Sequence, residues 1–206
     1  MPKIQSERPH LLYYCQSLVG IGHLTASLHI IEELLKDADV DLIYGGVSYG
    51  AFPKHKGFRL LQLPSLLHNE AGELYSPEQP DVLGDAIWQQ RQAAILDFLS
   101  CPYQAIIVEF YPFGRRRFKK EIRAIFKKVF DLSGKMPGFS QVRQILVPCP
   151  IKEEQSILDL INAEIHTVLV RGDPDVIQFD ETFSLASQLG GRLFYGGYIS
   201  RGIPEH

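Results

Sequence analysis

Cysteine is scarce in this sequence, and the three present, Cys15, Cys101 and Cys149, are far apart and outside any C-x-x-C spacing. Scattered thiols in odd number suggest neither a disulfide framework nor a zinc site, so no metal is expected and a reducing cytoplasm is the expected compartment. Long apolar runs are missing too. The stretch before Leu11 holds Lys3, Glu7, Arg8 and two prolines, unlike the unbroken apolar core of a signal peptide or transmembrane helix, and export by that route is not expected. Charge of one sign is also lacking: 21 Lys and Arg stand against 24 Asp and Glu, a formal net charge of -3. Attraction of the whole surface to nucleic acid or to an anionic membrane is therefore not expected, and any such contact has to be local.

What remains is 206 residues, 45% hydrophobic and 22% charged, which fits a single soluble domain over 1–206 with a substantial core. A tyrosine-rich apolar run from Leu11 to Ser17 meets the turn Val19-Gly20-Ile21-Gly22, and a helical pattern opens at His23. Leu24, Leu28, Ile31 and Leu35 make one apolar stripe, leaving Glu32, Glu33 and Lys36 for water. Val40 to Tyr44 and Phe58 to Leu63 read as the next strands, followed by a long loop from Pro64 to Pro80. Asp81 is placed to cap a helix running to about Leu99, with Val82, Ala86, Ala93, Leu96 and Leu99 as its partial stripe. Ala105 to Val108 is a short apolar strand, and a helix from about Arg115 buries Phe118, Ile122, Ile125, Phe126 and Val129 before Gly134. Strands at Val142 to Val147, Ile165 to Val170 and Leu193 to Ile199, with a helix at Lys152 to Asn162, complete the alternation. The pattern predicts an α/β, Rossmann-like, mainly parallel sheet with helices on both faces.

In such sheets ligands bind beyond the carboxyl ends of the strands, so the residues just after each strand carry the functional expectations. Gly20 and Gly22 allow a tight turn and expose backbone N–H groups to an anion or substrate. A dinucleotide fingerprint would need a third glycine where Thr25 stands and an acid ending the second strand, where the chain has Tyr44-Gly45-Gly46. A nicotinamide-dependent oxidoreductase is thereby disfavoured. His23 is either a general base, in the neutral form that a helix N-terminus suits, or a capping and packing residue. Glu109, ending its strand, either orients that imidazole or holds substrate hydroxyls, or else caps the next helix. Asp173 has the same two readings, with Pro174 favouring a turn. The cations Arg115, Arg116, Arg117, Lys119, Lys120, Arg123, Lys127 and Lys128 oppose a helix dipole at their N-terminal end, and they read either as a contact for phosphate or anionic lipid over 115–128 or as a solvated face. No RNA-binding or recognition-helix pattern accompanies them, so nucleic acid is not an expected partner.

The blocks Tyr14-Cys15-Gln16, Gly20-Ile21-Gly22-His23-Leu24 and Val108-Glu109-Phe110-Tyr111-Pro112-Phe113-Gly114-Arg115-Arg116 resemble a largely bacterial glycosyltransferase family related to the enzyme that forms lipid II by adding N-acetylglucosamine. Similarity continues at Val142 to Val147, Leu169 to Pro174 and Tyr195 to Ile199. That resemblance implies two facing Rossmann-like domains, the GT-B architecture. The first domain holds a sugar or lipid-linked sugar acceptor, and the second holds the nucleotide-sugar donor. On this reading the chain is the acceptor-side N-terminal domain alone, with the donor domain absent after His206 and needed from a C-terminal domain or partner subunit. No other cofactor is implied, and the expected place is the cytoplasm or the inner membrane surface. His23 would be the base, Glu109 its partner, and Gly20, Gly22, Arg115, Arg116 and Asp173 substrate contacts. The family pattern has an acid where Gln144 stands and a histidine where Arg171 stands. The alternative from another class is a stand-alone binding module for a phosphorylated small molecule or a partner protein.

Overall fold

A computed structural model of the chain describes residues 8–48, 50, 52–82 and 84–199. In chain order the elements are β1 (His10–Cys15), α1 (Gly22–Leu34), β2 (Asp39–Tyr44), β3 (Phe58–Gln62), β4 (Leu67–His68), β5 (Leu74–Tyr75), α2 (Asp85–Phe98), β6 (Ala105–Glu109), α3 (Lys119–Ser133), β7 (Gly138–Arg143), α4 (Ile151–Glu164), β8 (Thr167–Arg171) and β9 (Leu193–Tyr195). Seven strands form one sheet in the order β3-β2-β1-β6-β7-β8-β9, and every pairing in it is parallel. The order turns back between β1 and β6, which makes the carboxyl ends of those two strands the topological switch point where sheets of this kind open a crevice.

Both faces of the sheet are covered, as the apolar runs require. On one face α1 packs Leu24, Ile31 and its C-terminal neighbour Leu35 against Tyr13, Cys15, Val40, Leu42, Tyr44 and Ile107. On the other, α2, α3 and α4 bury residues such as Ile95, Ile122, Phe126 and Ile161 against Leu12, Tyr14, Ile43, Ile106, Val108 and Val168. Beside α1 the first face carries an open groove of about 560 Å³ whose walls include Leu34, Ile107, Leu169 and Phe194. No helix among the described residues is long and apolar enough to cross a membrane.

Several boundaries differ from the sequence expectation for identifiable reasons. The helix expected from Asp81 begins at Asp85, and its buried residues are Ile87, Arg91 and Ile95, while Leu96 is exposed. An arginine occupies the middle of the buried stripe, so hydrophobicity alone points to the wrong face. The strand expected at Val142 to Val147 is β7, ending at Arg143, and its first half was hidden by the buried polar pair Ser140 and Gln141. Ser140 Oγ donates to the Tyr111 carbonyl at 2.5 Å, and Gln141 Oε1 accepts the Tyr13 hydroxyl at 2.9 Å, so both fit a buried strand. Past Arg143 the chain leaves the sheet, and Ile145 and Val147 are exposed. The last strand stops at Tyr195 instead of Ile199, where Gly196 and a left-handed Gly197 (φ 74) turn the chain. A single 3-10 turn, Arg116–Phe118, precedes α3, so the helix starts at Lys119 instead of Arg115. Within the 64–80 loop β4 and β5 form a small antiparallel hairpin, and Ser65 and Ser76 both donate to Glu78 at the base of that loop.

Candidate functional site

After β1 the chain turns through Gly20, whose φ of 63 lies in the left-handed region that glycine adopts most freely. Helix α1 then starts at Gly22 with no side-chain cap on its N-terminus, which leaves first-turn N–H groups without side-chain partners. His23 is the second residue of this helix, and Glu109 is the last residue of β6. Across the switch point His23 Nδ1 and Glu109 Oε1 stand 2.6 Å apart. The histidine side chain is 22% exposed and the glutamate is fully buried. A carboxylate only accepts, so an N–H at Nδ1 fills this contact, and the neutral ring carries its lone pair on Nε2. No described residue bonds Nε2. Among the described residues the Glu109 carboxylate makes its hydrogen bond to this imidazole.

The segment after β6 builds the rest of the site. Phe110 (φ 61) and Arg115 (φ 59) are both left-handed, a conformation disfavoured outside glycine that is concentrated here within six positions of one loop. Gly114 lets the Phe110 ring lie close, because a Cβ there would meet that ring at 2.4 Å. The ring in turn contacts His23 at 5.3 Å between centroids and lies under the guanidinium groups of Arg115 and Arg143 at 5.4 and 5.5 Å. Arg115 Nε donates to the Gln16 carbonyl at 2.6 Å, and its Nη2 stands 4.0 Å from Glu109 Oε2. That second carboxylate oxygen is buried and has no hydrogen-bond partner among the described residues. Glu109 thus has one oxygen hydrogen-bonded to the imidazole and the other 4.0 Å from a guanidinium without a hydrogen bond.

The other expected site residues fall in different places. Gly20 lies in the turn between β1 and α1 and Gly22 opens that helix, and a Cβ on either would meet nothing within 4 Å. Arg116 turns away to Glu153 at 2.6 Å, both side chains being exposed. Asp173 serves a turn: its Oδ1 accepts the Asp175 N–H at 2.9 Å, and its backbone meets the amide of Gln144. Gln144 is buried and donates Nε2 to the carbonyls of Asp173 and Ile177 while Oε1 accepts from Asp173 N and the Tyr198 hydroxyl. Two carbonyl acceptors require a donor at this position, so a neutral amide fits where a carboxylate would be repelled. Of the basic run, Arg117 meets the Gly72 carbonyl, Arg123 meets Glu164 and Lys127 meets Asp131, so much of it is tied within the domain.

Sequence reasoning assigned no role to Phe110, Arg143 or Gln16. Arg143 was open to discovery, because it ends β7 at the same edge. Gln16 was not, because its importance lies in a buried network: Nε2 donates to the Gly45 and Leu66 carbonyls at 2.8 and 2.9 Å while Oε1 accepts Arg91 Nη2 at 2.9 Å. Donor atoms of His10, Asp41 and Cys101 do gather within 4.8 Å at the opposite, amino end of the sheet. The His10 ring stands between its partners there, Nε2 toward Asp41 and Nδ1 toward Cys101, so the donors do not converge on one point.

Fold and edge together define a Rossmann-like α/β domain with a histidine–carboxylate pair at its switch point. No protein-family model matches the sequence, and no curated protein matches it either. Among solved structures the chain is similar to Phytolacca americana UGT2, complexed with UDP-2fluoro-glucose and pterostilbene, at 11% identity and a TM-score of 0.55, covering 97% of this chain and 56% of that one. It is also similar to a UDP-glucosyltransferase from Polygonum tinctorium capable of glucosylating indoxyl, at 10% identity and a TM-score of 0.51, covering 96% and 53%. The likeness is one of fold: the chain spans about half the length of these structures and has the seven-stranded architecture of one half of a GT-B glycosyltransferase.

Proposed function

We propose that this chain is the acceptor-side, N-terminal half of a nucleotide-sugar-dependent glycosyltransferase, with His23 as general base. The observation that carries the reading is the 2.6 Å contact between His23 Nδ1 and the buried Glu109 at the switch point. In the reaction Nε2 takes the proton of an acceptor hydroxyl as its oxygen attacks the anomeric carbon and the nucleotide leaves, while Glu109 holds the ring and stabilises the imidazolium that forms. Phe110 and Arg115 keep the ring and carboxylate in register. Exposed Val19, Ile21, Ile145 and Val147 follow β1 and β7 at the same edge, an apolar rim of the kind a facing donor domain would cover. The membership suggested by the sequence blocks, a relative of the lipid II-forming transferase acting on a sugar or lipid-linked sugar, belongs to this proposal, as does the need for a separate donor half from a C-terminal domain or partner subunit.

The test is a transfer assay with a panel of nucleotide-sugars and acceptor alcohols, run on the native protein from its source and on the isolated chain. The expected results are no turnover by the chain alone and, wherever the native protein is active, a loss of about 10²–10⁴-fold on His23→Ala. Full activity in that variant would remove the base assignment. Binding of acceptor without turnover by the native protein would favour a binding module instead.

A further inference from the structure

The strongest unassigned feature lies on the other side of the Arg115–Arg117 segment. While Arg115 turns to Glu109, Arg116 and Arg117 help line a cavity of about 660 Å³ with Asp85, Trp88, Gln92, Lys119, Lys120 and Glu121, between the starts of α2 and α3. Its charges do not balance locally. Glu121 is consumed by Arg91 and the Tyr14 hydroxyl, and Arg116 is paired with Glu153. Arg117 meets only a carbonyl, and Lys119 and Lys120 have no hydrogen bond or ion pair among the described residues. Three cations thus face the cavity without a carboxylate partner, against one acid, Asp85. Both lysines also occupy the first two positions of the 15-residue helix α3, where they lie against its positive end and cost helix stability. Trp88, partly buried and edge-on to Phe118 at 5.2 Å, supplies an aromatic wall.

We propose that this cavity binds a phosphate ester, with Lys119, Lys120 and Arg117 around the phosphate and Trp88 against the group that carries it. A dianion there relieves the repulsion among the three cations and meets the positive end of α3. The inference deepens the glycosyltransferase reading by giving the acceptor its charge, and it rests on that reading only for the ligand's role, not for its binding.

Trp88 is the sole tryptophan of the chain, so its emission reports this cavity and no other. The experiment is a fluorescence titration of the chain with inorganic phosphate, glucose 1-phosphate and phosphatidylglycerol vesicles, repeated by calorimetry. Saturable quenching or shift by glucose 1-phosphate, weakened by salt and by about tenfold or more in Lys119→Ala/Lys120→Ala, is expected for a soluble ester. The same behaviour with vesicles alone assigns the phosphate to a lipid headgroup. No response to any probe in the millimolar range, or equal affinity in the double variant with an unchanged circular dichroism spectrum, overturns the proposal. His23→Ala is expected to leave the titration unchanged. A failed titration with a His23-dependent transfer would therefore sink the cavity alone.

Discussion

Two buried glutamates in this domain are held in opposite ways. Glu121 accepts Arg91 Nε and Nη2 at 2.8 and 2.7 Å and the Tyr14 hydroxyl at 2.6 Å, and Arg91 goes on to the Pro64 carbonyl and Gln16. Burial alone would lower the Arg91 pKa, yet the bond and charge of Glu121 outweigh it and the guanidinium is held charged. Burial and the neighbouring Glu121 together push the Tyr14 hydroxyl well above its ordinary range. Glu109 has His23 at 2.6 Å, Arg115 at 4.0 Å, and one oxygen with no hydrogen bond. A carboxylate whose donors are all found is architecture; the one left partly unmatched beside a histidine is the one to which the proposed mechanism gives a role.

The largest effect that would sharpen this contrast is Arg91→Leu, which strands Glu121, Tyr14 and Gln16 together and is expected to cost about 3–5 kcal/mol in urea unfolding. A loss below about 1 kcal/mol, the range of an exposed pair, would show that the network is not structural. Next, Glu121→Gln gives up charge-assisted bonds worth about 1.5–3 kcal/mol each, whereas Glu109→Gln, keeping an acceptor for His23, is expected to change stability much less. Equal losses at the two positions would break the comparison. Cys15 lies beneath the Glu109 site, and burial, with the charge of Glu109 second, pushes its thiol up to about 12. It is expected to resist iodoacetamide at pH 8 until the protein unfolds, while Cys101, partly exposed, is labelled in the native state; peptide mass spectrometry reads both. The smallest effect belongs to Arg116→Ala, which removes an exposed ion pair to Glu153 and is expected to cost less than about 1 kcal/mol.

The sheet and the placing of His23 beside Glu109 were legible because strand ends announce themselves: apolar runs stop, and Glu109 stands at one such end with His23 just beyond another. The 14-residue helix α2 misled because Arg91 is buried at a position that hydrophobic periodicity assigns to water, and its partner Glu121 comes from another helix. The start of β7 was hidden by Ser140 and Gln141, polar residues whose partners are Tyr111 and Tyr13, far away in sequence. Arg115 and Arg116 are adjacent and chemically alike, yet one turns inward to Gln16 and the other outward to Glu153. The left-handed φ of Arg115 separates them, and no composition or spacing rule reports it. Patterns along the chain carry the layers; contacts between distant residues decide which charged groups serve structure and which serve the site.

The pairing of His23 with Glu109 is most directly tested by long-range nitrogen NMR of the histidine-labelled chain, wild type against Glu109→Leu. The expected spectrum shows the neutral His23 ring protonated on Nδ1 with its lone pair on Nε2, and that tautomer preference is lost in the variant. A proton on Nε2 in the wild type, or the same tautomer in both, would contradict the assignment of Glu109 as the group that prepares His23 to act as a base.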